Sequence, residues 1–239
     1  MRTHPSPIRR FRRLAVVAAV AATVAVAASG CTAPANPTGI PGSWHNVFTD
    51  DFNGPSLDHS KWAPDWFGNG NVQNNTTMLD QNVSVSNGNL VLKLNGSGGL
   101  ISSDGKFSFS YGAIEARIFL PASGGQMANW PAFWTDGQNW PADGENDVME
   151  GLGGPACYHF HSNSGGPGGC ASGNYSGWHV FGADWEPGSV TYYYDGRVVG
   201  RVTSGITSAP QFIIAENSAG GPRVEPSTML IDYIKVWQH

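Results

Sequence analysis

Basic charge and charge of any sign are scarce in this chain of 239 residues, and each scarcity excludes a class of protein. Charged residues make up 13% of the chain, against about 25% in an average soluble domain, which argues against coiled coils and helical bundles. The first 30 residues hold five of the 13 basic residues and no acid, so residues 31–239 carry 8 basic and 18 acidic ones, a net charge of −10. A domain this acidic, without a basic run, does not suit nucleic acid or an anionic membrane surface as a partner.

The first 30 residues have the order of regions found in a bacterial export signal. A basic stretch, 9–13, precedes an apolar run from Leu14 to Ala28, which is interrupted only by Thr23 and followed by small residues up to Cys31. The run is about fifteen residues, short of the roughly twenty that span a membrane. We predict a lipoprotein-type signal over 1–30 with Cys31 as the lipid-modified residue, and ordinary cleavage with secretion as the alternative. The export route, general secretion or twin-arginine, stays open.

Three prolines and no core pattern follow the signal. We predict that residues 31–42 are a tether that holds the domain away from the membrane. No internal repeat or second linker interrupts the sequence from 43 to 239, which we expect to be one domain and a monomer.

With Cys31 acylated, Cys157 and Cys170 remain as an even pair in an oxidising compartment. A disulfide between them is the favoured interpretation. Metal binding with His159 and His161 is the alternative, although Cys-x-His-x-His lacks the spacing of a structural zinc site.

The hydrophobic pattern has a period of two residues, which indicates strands. Turn dipeptides at Asn87-Gly88 and Asp195-Gly196 separate alternating segments and predict two hairpins. The segment 107–111 also alternates and predicts a strand, whereas no segment after residue 43 offers three turns of amphipathic helix. Many short strands separated by turns predict an all-β sandwich or barrel.

Three carboxylates within six residues mark the candidate site: Glu145, Asp147 and Glu150. On a regular strand Glu145 and Asp147 share one face and Glu150 falls on the other. One extra residue bulging out between Asp147 and Glu150 brings all three to the same face. Such a cluster repels itself and is costly unless it has a function.

A calcium loop is the structural alternative for this cluster, but Val148 and Gly154 stand where an EF-hand needs a glycine and an acid. Trp130, Trp134 and Trp140 precede the acids. A carboxylate pair beside aromatic rings is what a glycosidase needs, one acid, one nucleophile or base, and apolar faces for sugars. Serine-hydrolase, nucleotide-binding and zinc-protease motifs do not occur in the sequence.

The sequence resembles glycoside hydrolase family 16 over nearly the whole domain. The similarity rests on Glu145-x-Asp147-x-x-Glu150 after Trp-Pro-Ala-Phe-Trp, and on further segments at 50–54, 86–92, 111–117, 193–196 and 231–236. The resemblance implies a β-jelly-roll of two antiparallel sheets with a concave glycan cleft, and hydrolysis with retention. It implies Glu145 as nucleophile, Glu150 as general acid/base, and Asp147 as the residue that tunes the nucleophile. No cofactor is required for that chemistry.

The two residues between Asp147 and Glu150 resemble the laminarinase-like branch of the family. This favours an endo-hydrolase of β-1,3- or β-1,3-1,4-glucan, with agar or carrageenan as alternatives and a non-catalytic glycan-binding jelly roll as the alternative of another class. Glu216 stands where the family tends to have asparagine. We expect contacts to the polysaccharide from five side chains: Trp130, Trp134, Trp140, His161 and Asn217. The resemblance also implies a structural calcium held by Asp51 and Asp232.

Overall fold

The computed structural model describes residues 34–65, 70–220 and 225–239. The predicted signal and Cys31 lie outside these residues. Within them no helix has the length and hydrophobicity to cross a membrane. Their secondary structure consists of a 3-10 helix at Asp80–Asn82 and the following strands: β1 (His45–Asp50), β2 (Val72–Gln73), β3 (Thr76–Thr77), β4 (Val83–Ser86), β5 (Asn89–Leu94), β6 (Gly99–Ser102), β7 (Gly112–Leu120), β8 (Ala122–Ser123), β9 (Gln126–Met127), β10 (Trp130–Gly137), β11 (Glu145–Gly151), β12 (Ala156–His161), β13 (Gly168–Ala171), β14 (Gly177–Glu186), β15 (Ser189–Tyr194), β16 (Arg197–Val202), β17 (Gln211–Ser218) and β18 (Ser227–Gln238).

Most of these strands form two antiparallel sheets. The eight-stranded sheet has the order β16-β15-β14-β7-β18-β5-β4, with β1 also paired to β18. The six-stranded sheet has the order β13-β12-β11-β10-β17-β6. The two sheets stack into a sandwich, and the predicted all-β jelly-roll class is confirmed.

Alternate residues of the strands fill the space between the sheets. Leu90 and Leu92 of β5, Ile114 and Ile118 of β7, and Phe133 of β10 are all completely buried in one cluster. Burying a side chain of this size stabilises the fold by roughly 1.5–3 kcal/mol relative to leaving it in water. The residues between them on each strand face outward, so one outer face of the sandwich is available for a site.

Both predicted hairpins are present. Asn87 and Gly88 join β4 to β5, and Asp195 and Gly196 join β15 to β16, in each case with two successive positive φ angles, 53° and 72° in the first and 49° and 73° in the second. This is the backbone that matches the twist of paired strands. The predicted strand at 107–111 is wrong, since only an isolated bridge at Phe109 forms there.

The described part of the predicted tether, residues 34–42, is packed against the domain, which corrects the prediction for these residues. The backbone N–H of Thr38 donates to Glu115 Oε2 at 2.6 Å, and Ile40 is buried in a cluster on the outer face of the eight-stranded sheet. Burial raises the pKa of Glu115 despite these hydrogen bonds. The packed chain therefore begins before the predicted boundary at residue 43.

Candidate active site

A cleft of about 640 Å³ lies on the outer face of the six-stranded sheet. Strands β10, β11, β12 and β17 supply its floor, and the segment around the β2–β3 hairpin supplies part of its wall. It is lined by Asn71, Gln73, Asn74, Asp104, Trp130, Ala132, Trp134, Asp136, Gly137, Gln138, Trp140, Glu145, Asp147, Glu150, His161, Phe212 and Glu216. The three carboxylates predicted from spacing are thus in one cleft.

The predicted bulge is confirmed by the pairing of β11 with both neighbours. Against β12 the register shifts between Asp147 and Glu150, and against β10 Asp147 pairs with Trp134 while Met149 pairs with the preceding residue. Val148 and Met149 are both completely buried in the core. Because two consecutive side chains enter the core, Glu150 returns to the cleft face.

The residue between the first two acids, Asn146, points into the sandwich, as the alternation of a strand requires. Its side chain is completely buried, and the Tyr192 hydroxyl lies 2.9 Å from its Oδ1 and 2.8 Å from the carbonyl oxygen of His159. The Tyr194 hydroxyl lies 3.0 Å from the carbonyl oxygens of Val148 and Cys157. These two phenols support strands β11 and β12 from beneath the cleft.

Each acid of the cluster has a defined neighbour. His161 Nε2 lies 3.2 Å from Asp147 Oδ2 and 3.9 Å from Glu145 Oε1. Trp130 Nε1–H donates to Glu150 Oε1 at 3.1 Å, and His159 Nδ1 lies 2.8 Å from Glu150 Oε2. The two histidines of β12 therefore separate the cluster into a Glu145–Asp147 part and a Glu150 part.

In the Glu145–Asp147 part of the cluster, burial and neighbouring charge favour the protonated form of the carboxyl groups. Burial raises the pKa of Glu145 to about 8, and the adjacent Asp147 carboxyl adds to the shift. Burial and then the Glu150 charge raise the pKa of Asp147 well above its usual range, while a hydrogen bond with Glu145 opposes the shift. Neighbouring carboxyls in a site of low polarity cannot all ionise together, so the pair keeps a proton at neutral pH.

Three further acids of the cleft, Asp104, Asp136 and Glu216, were not predicted as site residues. Burial raises the pKa of Asp136 to about 7 and that of Glu216 to about 8. Asp136 follows Trp134 by two residues on β10, so counting the strand alternation onward would have found it. Asn74 Nδ2, at the tip of the β2–β3 hairpin, donates to Glu216 Oε1 at 2.9 Å, a contact that no sequence pattern indicates.

The family model for glycosyl hydrolases family 16 matches residues 70–218, more than half of the chain. The chain belongs to this family. Among curated relatives, glucan endo-1,3-beta-glucosidase A1 of Niallia circulans is 29% identical over 80% of this chain and 37% of its own length. Keratan-sulfate endo-1,4-beta-galactosidase of Sphingobacterium multivorum is 28% identical over 80% of this chain and 54% of its own length. The chain thus spans about a third to a half of these relatives.

A solved laminarinase structure has a similar architecture. The laminarinase from Flavobacterium sp. UMI-01 superposes with a TM-score of 0.67 and 28% identity, covering 81% of this chain and all of that one. The family is one of glycosyl hydrolases, so membership favours an O-glycosyl hydrolase over the non-catalytic glycan-binding alternative.

Four of the five residues predicted to contact sugar line the cleft, and the fifth is a correction. Trp130, Trp134, Trp140 and His161 are in place, with Trp140 60% exposed at the rim. Asn217 is completely buried and points between the sheets, where its Nδ2 donates to the carbonyl of Leu92 at 3.1 Å. Since strand residues alternate, its neighbour Glu216 faces the cleft instead.

The predicted disulfide is confirmed. Cys157 and Cys170 are directly opposite each other on β12 and β13 and are covalently joined. Their thiols are therefore unavailable to a metal, which removes the zinc alternative for this pair.

The calcium implied by the family resemblance is not supported by the residues present. Arg117 Nη1 donates to Asp232 Oδ2 at 2.9 Å, so a guanidinium already occupies the carboxylate that a cation would need. Asp51 and Asp232 belong to neither of the clusters of three potential metal ligands among the described residues. The calcium site stays a prediction, and no step of the function is derived from it.

Proposed function

We propose that the protein is a retaining endo-hydrolase of neutral β-glucans, with β-1,3- or mixed β-1,3-1,4-linked glucan as substrate. The observation that carries the proposal is the bulge of β11, which turns Glu145, Asp147 and Glu150 toward one cleft lined by tryptophans. The names of the glucanase and laminarinase relatives support the same substrate class.

In the proposed first step, the Glu145 carboxylate attacks the anomeric carbon while Glu150 gives its proton to the glycosidic oxygen. The bond to the leaving sugar breaks and a covalent glycosyl-Glu145 ester forms. In the second step the Glu150 carboxylate takes a proton from water, the water oxygen attacks the same carbon, and Glu145 is released. Two inversions retain the configuration, for which the two carboxyl groups need a separation of roughly 5–5.5 Å.

Asp147 resolves a conflict in this scheme, because a nucleophile has to be ionised although burial raises the pKa of Glu145. Asp147 is the more deeply buried of the pair. We assign the shared proton to Asp147, whose hydroxyl then donates to Glu145 and leaves the charge on the nucleophile. The pair therefore titrates as a unit.

The charge of the cleft favours a neutral polysaccharide. Six carboxyl groups line it, Asp104, Asp136, Glu145, Asp147, Glu150 and Glu216, and no lysine or arginine does so among the described residues. A sulfated chain would bring like charge into this acidic and partly buried surface, at a cost that only a basic residue could offset. Keratan sulfate, the substrate in the name of one relative, is therefore the second candidate and the less favoured one.

A substrate panel tests the proposal. Reducing-sugar release is measured with laminarin, lichenan, agarose, carrageenan and keratan sulfate, and the anomer formed first is identified by proton NMR. We expect internal cleavage of laminarin or lichenan with β-configured product. Hydrolysis confined to a sulfated or agar-type polymer, or α-configured product, would contradict the proposal.

Azide rescue tests the residue roles. Glu145→Ala should abolish hydrolysis, and azide should restore turnover of an activated aryl glycoside with the inverted glycosyl azide as product. Glu150→Ala should lose about 10²–10⁴-fold on polysaccharide but give a retained azide product with the activated substrate. The opposite pairing of azide products would exchange the two roles.

We also propose export and lipid anchoring through Cys31, on the pattern of the first 31 residues. Cys31→Ala should move the protein from the membrane fraction to the medium, with the activity per molecule unchanged. Equal membrane retention of this variant would end the anchoring proposal.

Size-exclusion chromatography with light scattering tests the prediction that the protein is a monomer.

A further inference from the structure

The contact of His159 with Glu150 places a residue of unassigned role beside the group that has to move a proton. The His159 Nδ1 to Glu150 Oε2 distance is 2.8 Å, and the side chains are 23% and 13% exposed. In the sheet His159 is directly opposite Asp147, yet its Nδ1 contacts the carboxylate beyond the bulge. The bulge therefore places the Glu150 carboxylate against the His159 ring as well as in the cleft.

The backbone of His159 is held from inside the sandwich, where the Tyr192 hydroxyl donates to the His159 carbonyl oxygen at 2.8 Å. On the neighbouring strand Gly168 is paired with His159, and a Cβ on that glycine would overlap the Tyr158 carbonyl oxygen first and then the His159 ring. The glycine therefore leaves room for the backbone of β12 and for the imidazole.

The hydrogen-bonding capacity of Glu150 decides which tautomer is competent. Trp130 Nε1 can only donate, and it uses a lone pair of Oε1. The acidic proton of Glu150 has to face the glycosidic oxygen, so it cannot also be given to His159. In the competent state His159 must therefore present Nδ1–H to Oε2, and both oxygens of Glu150 accept from N–H donors.

We infer that His159 is a positioning residue that orients Glu150 and stabilises the carboxylate formed when Glu150 protonates the leaving group. This inference rests on the proposed function of the cleft. The Trp130 N–H is the other donor to Glu150. The remaining groups that face Glu150 oppose that charge or leave it unchanged: the carboxyls of Glu145, Asp147 and Glu216 around it and the phenols of Tyr192 and Tyr194 beneath it. His159 supplies the donor to the second carboxylate oxygen.

Two variants of His159 test the inference by kinetics. His159→Leu removes the donor at similar volume, whereas His159→Asn places an amide N–H near the position of Nδ1. In His159→Leu we expect the alkaline limb of the kcat/KM profile to move up by about one pH unit, since each hydrogen bond to a carboxylate favours its ionised form by about that much. The loss of kcat should be about tenfold on polysaccharide and smaller on activated aryl glycosides, which need little protonation. His159→Asn should restore part of both.

His179→Leu is the matched control, because His179 Nδ1 makes an equal 2.8 Å contact with Asp195 on the eight-stranded sheet, away from the cleft. This variant should leave the pH profile unchanged. A uniform loss of activity in His159→Leu, with an unmoved alkaline limb and no dependence on the leaving group, would overturn the inference, as would a limb that moves down.

A measurement without substrate separates this inference from the proposed function. Long-range proton–nitrogen correlation spectra of the folded protein should show the His159 ring as the Nδ1–H tautomer in wild type. The Nε2–H tautomer with an accepting Nδ1 would overturn the donor role even in an active enzyme. Conversely, a protein inactive on every glycan but with the Nδ1–H tautomer would refute the function and leave the contact standing.

Discussion

The substitution Glu216→Gln isolates the cost of a buried carboxyl in the cleft. Glu216 is 1% exposed, its Oε1 accepts from Asn74, and its Oε2 has no hydrogen-bond partner among the described residues. Glutamine keeps the accepting oxygen and the shape but cannot ionise. The variant is therefore a neutral stand-in for the protonated acid, and the pH dependence of its difference from wild type reports the ionisation.

The direction of the effect follows from proton linkage. Burial raises the pKa of Glu216 from 4.5 to about 8, so the folded protein keeps a proton that the unfolded chain releases near pH 4.5. The unfolded state binds fewer protons throughout this window, and the free energy of unfolding of wild type falls as pH rises. The loss attributable to Glu216 is roughly 3 kcal/mol at pH 7. Glu216→Gln should lack this loss.

Urea denaturation at pH 4, 5.5 and 7 measures the effect. The two proteins should be about equally stable at pH 4, and the variant should gain progressively to a lead of roughly 3 kcal/mol at pH 7. Glu186→Gln, which removes an exposed acid on the other sheet, controls for the loss of one carboxyl. Parallel pH dependences for wild type and Glu216→Gln would refute the reasoning.

Three further predictions concern other parts of the site. Replacing Cys157 and Cys170 by alanine opens a loop with a sequence separation of 13, and urea denaturation should show a loss of about 3 kcal/mol; unchanged stability would contradict this. Gly166→Ala puts a Cβ into the His161 ring, so kcat/KM should fall at least about tenfold with little change in Tm; full activity would show that His161 is dispensable. Trp140→Ala at the exposed rim should change stability by less than about 0.5 kcal/mol, yet raise KM for polysaccharide about tenfold; an unchanged KM would remove Trp140 from the binding surface.

The features that the sequence predicted are set locally, by the alternation of side chains along a strand and by the residue types found at turns. The acids at 145, 147 and 150 can share a face only through a bulge, and the pairing of β11 confirms it. Asn-Gly and Asp-Gly dipeptides take positive φ at both positions, so the hairpins followed directly. The disulfide could be predicted because Cys157 and Cys170 are an even pair in a chain expected to reach an oxidising compartment.

The features that sequence missed depend on partners far along the chain. Residues 34–42 carry no core pattern, because they are held partly by backbone hydrogen bonds such as that of Thr38 to Glu115. The alternating segment 107–111 lacks a neighbouring strand to pair along its length. The sequence does not show that Glu216 rather than Asn217 faces the cleft, because the pairing of β17 with β10 sets which residues lie on each face. The His159–Glu150 contact depends on the bulge geometry.

The covalent intermediate is the most direct test of the central claim, that Glu145 and Glu150 act as nucleophile and acid/base in a double displacement. The enzyme is incubated with a 2-deoxy-2-fluoro β-glucan oligosaccharide that carries an activated leaving group, then digested and sequenced by mass spectrometry. The account predicts time-dependent inactivation with one glycosyl group on Glu145. A label on Glu150 or Asp147, or continued activity with no label while the enzyme hydrolyses the parent glucan, would contradict it.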